Sequence, residues 1–260
     1  MPTPPTRTRT RPRPSSTARP LAPSRGTARM ILPALVLSVI GLGAVAVLAL
    51  WWRSTSPTTD TGELLTDAGD ALGMLSGYGF VVLVALMARL PPLEKGIGSD
   101  RLARWHSMGG RYIITLVTGH VVFIVWGYTV AAQANVTGEV ASMLTTVPDV
   151  LMATVSWGLL LAIAVFSARA ARRRLSYETW YYAHLYTYLA IALAFSHQFA
   201  LGPAFEANLA ARVAWSALYA VVGAALLWYR VITPVRSAAR HRFTVQSVRP
   251  EAPGIVSVLI

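Results

Sequence analysis

Six apolar runs divide this sequence, at roughly 30–52, 70–90, 105–130, 149–168, 179–200 and 210–232, and each is long enough to cross a bilayer. Hydrocarbon offers no water to backbone N–H and C=O groups, so such runs must satisfy those groups within themselves, as helices packed side by side. The expected fold class is an all-α membrane protein, a six-transmembrane-helix bundle. Composition agrees, with 54% hydrophobic and only 13% charged residues, where a soluble domain carries about 25% charge. Cysteine is absent, which excludes disulfides, iron–sulfur clusters and thiolate chemistry.

A net charge of +12 raises the question of nucleic acid, and its distribution answers it. Of the 23 basic residues, 21 fall in the N-terminal tail and in every second connection; only Arg53 and Arg212 lie in the others. The positive-inside rule makes the basic side cytoplasmic. The chain is therefore expected to be a multi-pass plasma-membrane protein with both termini in the cytoplasm, in contact with lipid and with no nucleic-acid partner. The opposite side carries Asp60, Glu63, Asp67 and Asp70.

Residues 1–28 are rich in Pro, Arg, Thr and Ser and contain no acid. Their prolines forbid the amphipathic helix of a transit peptide, and the apolar run that follows is too long for a cleaved signal. They are expected to form a disordered basic cytoplasmic tail, with the helical bundle over 29–235. Beyond it, Arg242–Val248 alternates with period two, and Gly254–Ile260 resumes after a Pro-Glu-Ala-Pro turn. These read as two β-strands. Two strands make no stable sheet alone, so 241–260 is expected to open a further, incomplete domain.

Four of the five histidines form two pairs inside apolar runs: His106 with His120, fourteen residues apart, and His184 with His197, thirteen apart. At 1.5 Å rise per residue each pair spans roughly 20 Å along a helix, one histidine near each face of a ~30 Å core. A lone intramembrane histidine is often a neutral ring bonded to a neighbouring helix. Four at matched depths on two helices point to ligation. Imidazole binds iron, copper, zinc and nickel alike. No Asp or Glu lies between the members of either pair to build a mixed site, and bis-histidine haem is the economical answer.

Both helices enter from the cytoplasm, so His106 is expected level with His184 (inner) and His120 with His197 (outer). Fourteen residues nearly complete four turns, whereas thirteen miss by about 140°, so His184 and His197 do not share a face of an ideal straight helix. A bend, a local π-turn or side chains reaching around would reconcile them.

Other residues are read less sharply. Gly109 and Gly110 either make room for a flat macrocycle or serve ordinary packing. Arg111 either pairs with a haem propionate or snorkels to the interface. Trp105, Trp180, Tyr181 and Tyr182 read as interfacial belt residues, Glu178 as a neighbour neutralising the arginines before it, and His241 as solvated. A reading from another class, a proton-coupled transporter with a histidine relay, calls for repeats with broken helices and intramembrane acids, which the sequence does not display.

The stretch Leu90-Pro91-Pro92-Leu93-Glu94-Lys95-Gly96, then Asp100-Arg101-Leu102, Arg104-Trp105-His106, Gly110-Arg111 and His120, resembles the ferric reductase transmembrane domain shared by ferric reductases and NADPH oxidases. Ser176-Tyr177-Glu178-Thr179-Trp180, His184, Tyr188 and His197 resemble its second ligand helix. The resemblance covers roughly 70–232, with the paired spacing its most specific part. It implies two b-type haems held by the four histidines as metal ligands. Through them electrons would pass from a cytosolic NAD(P)H/FAD module, in cis or in trans, to an external acceptor, ferric iron or oxygen. The terminal strands resemble the opening of a ferredoxin-reductase-type FAD-binding barrel. The nicotinamide domain is missing, so these residues alone would not oxidise NAD(P)H. Ile124 stands where some oxidases of the family carry a further histidine, which weakens a case for dedicated superoxide production. A related alternative is a haem-binding membrane subunit of a separate reductase, such as a methionine sulfoxide reductase system.

Overall fold

The computed structural model describes residues 25–168, 173–206, 208–241 and 245–259, and of residues 25–30, 241 and 259 it describes the backbone alone. Most of the expected tail, the side chain of His241 and residues 242–244 lie outside that description. From Arg25 the chain is already helical.

The helices, in order, are α1 (Arg25–Ser54), α2 (Thr61–Met87), α3 (Pro91–Gly96), α4 (Ser99–Ala132), α5 (Val136–Thr146), α6 (Val150–Ser167), α7 (Tyr177–Leu201), α8 (Pro203–Glu206), α9 (Leu209–Leu227) and α10 (Thr233–His241), with a π-turn over Trp228–Ile232 joining the last two. Their starts follow from local chemistry. Asp60 accepts a hydrogen bond from the Glu63 amide at 2.9 Å, Asn135 from Gly138 at 2.7 Å, Ser176 from Thr179 at 3.2 Å and Asn208 from Ala211 at 3.0 Å. Each side chain thereby satisfies one of the amides a helix start leaves without a partner.

Five stretches are long and apolar enough to cross a membrane: Ile31–Ser54, Thr61–Met87, Ser99–Ala132, Val150–Ser167 and Leu209–Arg240. Helix α7 has the length, 25 residues, but its tyrosines, histidines and Gln198 leave it short of the apolar composition. Six crossings were expected, and five helices of that kind are present among the described residues. Large apolar side chains stand exposed along α1, Leu42 by 67%; in a bilayer such a surface faces lipid rather than water.

Helices α1 and α2, and α2 and α4, run antiparallel, while α4 and α7 run in the same direction; Asp60, Glu63, Asp67 and Asp70 gather at the end opposite most of the arginines. The Trp51 indole at the end of α1 donates to the Asp67 carbonyl near the start of α2 at 3.0 Å. Two apolar clusters fill the interior. Val47, Met74, Ala204, Phe205 and Trp215 pack toward the acidic end. Phe80, Ile113, Leu160 and Ala190 form the other, with Ile113 midway between the histidines of α4 and Ala190 midway between those of α7.

The terminal strands form an antiparallel hairpin, β1 (Ser247–Ala252) with β2 (Ile255–Leu259). Its turn is Pro253-Gly254, with Gly254 at φ 81°, rather than the longer Pro-Glu-Ala-Pro turn. Proline followed by a positive-φ glycine suits the centre of a type II turn, and this local chemistry outweighs the side-chain alternation that placed the first strand earlier. A register irregularity between Pro250 and Ala252 falls where proline cannot donate to the ladder. A barrel is not part of the described fold.

Candidate functional site

The bundle brings the four intramembrane histidines together in the two pairs matched by depth. The rings of His106 and His184 lie 5.9 Å apart between centroids, with planes at 72°, and those of His120 and His197 lie 6.3 Å apart at 66°. Two imidazoles binding one metal from opposite sides, with bonds of ~2 Å, place their centroids roughly 6 Å apart. All four are half-buried.

Helix α7 is α-helical throughout from Tyr177 to Leu201, so no π-turn intervenes between His184 and His197, and their side chains leave it toward different neighbours. His184 leans toward the end of α6, its Nδ1 3.4 Å from Ser167 Oγ and its ring stacked on Trp180 at 5.3 Å and 21°. Trp180 Nε1 in turn donates to Ser167 Oγ at 3.4 Å. Trp180, expected from the sequence only as a belt residue, is thus in contact with the site. His197 sits on the opposite stretch, beside a cavity.

The ring nitrogens fix which atom is free to ligate. A carbonyl can only accept, so Nδ1 of His106, 3.1 Å from the Leu83 carbonyl, and Nδ1 of His120, 2.8 Å from that of Gly69, both carry hydrogen and donate it. Their Nε2 atoms then hold the lone pair. Metal-bound histidines commonly donate the second ring N–H in this way. His197 Nδ1 is buried without a protein partner. Among the described residues no group of three or more His, Asp or Glu side chains gathers. Donors in twos suit axial ligation of a macrocycle's metal and cannot fill a four-coordinate all-protein site.

Around the outer pair lies a cavity of about 200 Å³, lined by His120, His197, Gly73, Gly77, Asp70 and Trp157 among others. Ligand sites usually enclose ~300–1,000 Å³, so as it stands this cavity is smaller than most of them. A polar cluster closes its wall: Trp215 Nε1 donates to Gln198 Oε1 at 2.7 Å, and the Tyr219 hydroxyl donates to the Gly77 carbonyl at 2.8 Å. This ties α9 to both α7 and α2.

At the basic end, the sequence reading singled out Arg111, which lies exposed on α4. The structure places a different arginine by the inner pair. Arg230, within the π-turn, donates from Nε to the Met87 carbonyl at 2.9 Å and is near enough to interact electrostatically with His106 and Tyr188. One polar residue in an apolar-to-basic transition gave little reason to choose it. Gly109 faces the Leu83 side chain, whereas a Cβ on Gly110 would meet nothing within 4 Å.

Residues 72–195 match the family model described as the ferric reductase like transmembrane component. The matched stretch holds His106, His120 and His184 and stops two residues short of His197. No curated protein and no solved structure matches the chain.

Proposed function

Starting from residues 72–195 as a ferric reductase-like transmembrane domain, the mark of a transmembrane oxidoreductase, we propose that this protein carries electrons across a membrane on two b-type haems. His106 with His184 would hold the inner one and His120 with His197 the outer. When bound, haem supplies a one-electron carrier at each depth, linking a cytosolic NAD(P)H/FAD module to an external acceptor such as ferric iron or oxygen. The observation that carries this reading is the separation of the rings, 5.9 and 6.3 Å, in two pairs at two depths.

The chain's own residues do the holding. Leu83 and Gly69 carbonyls keep Nδ1–H of the α4 histidines turned away from the partner rings, leaving Nε2 for the metal. The Phe80–Ile113–Leu160–Ala190 layer excludes water between the two sites. Helix α7 is the sixth crossing in this reading, because the residues that lower its hydropathy include the ligands themselves. The basic end is cytoplasmic, in the plasma membrane, with both termini inside. Arg111 and Arg230 are the cations available to haem propionates there, Arg230 being the one close enough to act electrostatically on His106. The terminal hairpin belongs with a flavin module supplied in cis or in trans.

The test is optical. Full-length protein purified in detergent should show sharp b-type bands on reduction. A colourless preparation, obtained with haem plentiful in the cells, would refute the reading.

A further inference from the structure

Helix α2 carries no histidine, yet it contacts both histidines of α4. The acceptors Leu83 and Gly69 are fourteen residues apart, as are the donors His106 and His120, and the two helices are antiparallel. One register of helix against helix is therefore repeated at two depths. A helical carbonyl already engaged along its own axis keeps a second lone pair, and that lone pair serves the imidazole.

The outer bond depends on the backbones coming close. A Cβ on Gly62 would stand 3.0 Å from the Gly127 carbonyl oxygen, and one on Gly73 would stand 2.7 Å from His120 Nδ1, below the 3.0 Å that real Cβ atoms essentially never cross. The obstacle at Gly73 is a ring whose position is itself fixed by the 2.8 Å bond to Gly69. Any side chain at Gly73 must displace that ring.

We infer that α2 is the orienting element for the histidines of α4, and that Gly73 is the positioning residue that lets the His120 ring reach the Gly69 carbonyl. The consequence for ligation rests on the haem reading above; the tautomer does not. With Nδ1–H held on α2, the Nε2 lone pair of each α4 histidine faces its α7 partner. Released from the carbonyl, a neutral ring is free to place its hydrogen on Nε2, which cannot then bind a metal.

The experiment compares Gly73→Ala with Gly223→Ala, whose Cβ would meet nothing within 4 Å, in the full chain. Low-spin ferric electron paramagnetic resonance and haem content are read for each. Loss of an outer-layer partner costs metal affinity about 10–100-fold, so in Gly73→Ala the outer signal should shift or vanish, with haem affinity there falling about 10–100-fold. The inner signal should stay, and Gly223→Ala should match wild type. An unaltered outer signal in Gly73→Ala overturns the proposal. If that variant does not fold, ¹⁵N-histidine spectra of the wild-type protein decide. His106 and His120 must both carry hydrogen on Nδ1, with or without haem, and an Nε2–H tautomer at either contradicts the inference. A colourless protein with the expected tautomers would instead count against the haem reading alone.

Discussion

The inner and outer histidine pairs hang from the same two helices, yet their surroundings differ. At the basic end, His106 bonds to the Leu83 carbonyl, His184 approaches Ser167 and stacks on Trp180, and Arg230 stands nearby. At the acidic end, His120 makes the shorter bond, at 2.8 Å, while His197 Nδ1 has no protein partner and the pair opens on a cavity that Asp70 also lines. One site is closed by partners on both rings and lies in a cationic field. The other is roomier and acid-bordered.

The largest expected effect breaks the comparison at its root, the sidedness of the two ends. The chain has no cysteine, so single cysteines report cleanly, and Ser176 and Thr145 are exposed positions at the basic and acidic ends. Ser176→Cys should react with an impermeant maleimide only from the cytoplasm, and Thr145→Cys only from outside. Labelling of both from one side would mean that basic and acidic ends do not lie across a membrane from each other.

Next comes a change confined to the outer half. Trp215 is 5% exposed and bonded to Gln198; Trp215→Ala should cost about 3–5 kcal/mol, read as a lowered unfolding midpoint in detergent. The outer spectroscopic signal should broaden while the inner persists. Tyr219→Phe, which removes the bond to the Gly77 carbonyl and the longer 3.4 Å contacts to the Gln198 amide, should cost about 0.5–1.5 kcal/mol. If both variants perturbed the inner signal more, the cluster would not be a support of the outer site.

Most of this arrangement was legible in the sequence, because depth in a membrane is counted in residues. Fourteen and thirteen place the rings in layers whatever the helices' rotation. Rotation itself was not legible: ideal phases set His184 and His197 about 140° apart, and only packing against α4 and α6 shows side chains closing the gap. The short helices α3, α5 and α8 went unseen, since the sequence was divided by hydropathy alone, although Pro91-Pro92 and Asn135 are good starts for two of them. Arg230 carries no sequence signal of its own, since it lies on neither ligand helix and only packing sets it near His106. In the hairpin, period-two alternation was trusted over the Pro253-Gly254 turn.

Two smaller effects sharpen the contrast at the inner site. Arg230 is a positive charge by His106, and positive charge favours the reduced state of a nearby redox centre; Arg230→Gln should lower the inner midpoint potential and leave the outer one in place, by redox titration. Ser167→Ala should do least. Its contact to His184 is 3.4 Å, long for a hydrogen bond, so only a slight shift of the inner signal is expected, with haem content kept. An equal effect of Ser167→Ala on both signals would show that the contact does not belong to the inner pair.

The central claim is that four histidines make two sites, divided by depth. Pairs of substitutions test it most directly, with haem counted per chain. His106→Ala with His184→Ala should remove no more haem than either alone, since both belong to one site, and His120→Ala with His197→Ala should behave likewise. His106→Ala with His197→Ala should remove all of it. If that last combination kept one haem while His106→Ala with His184→Ala lost both, the histidines would be paired diagonally, His106 with His197 and His120 with His184, and the account would be wrong.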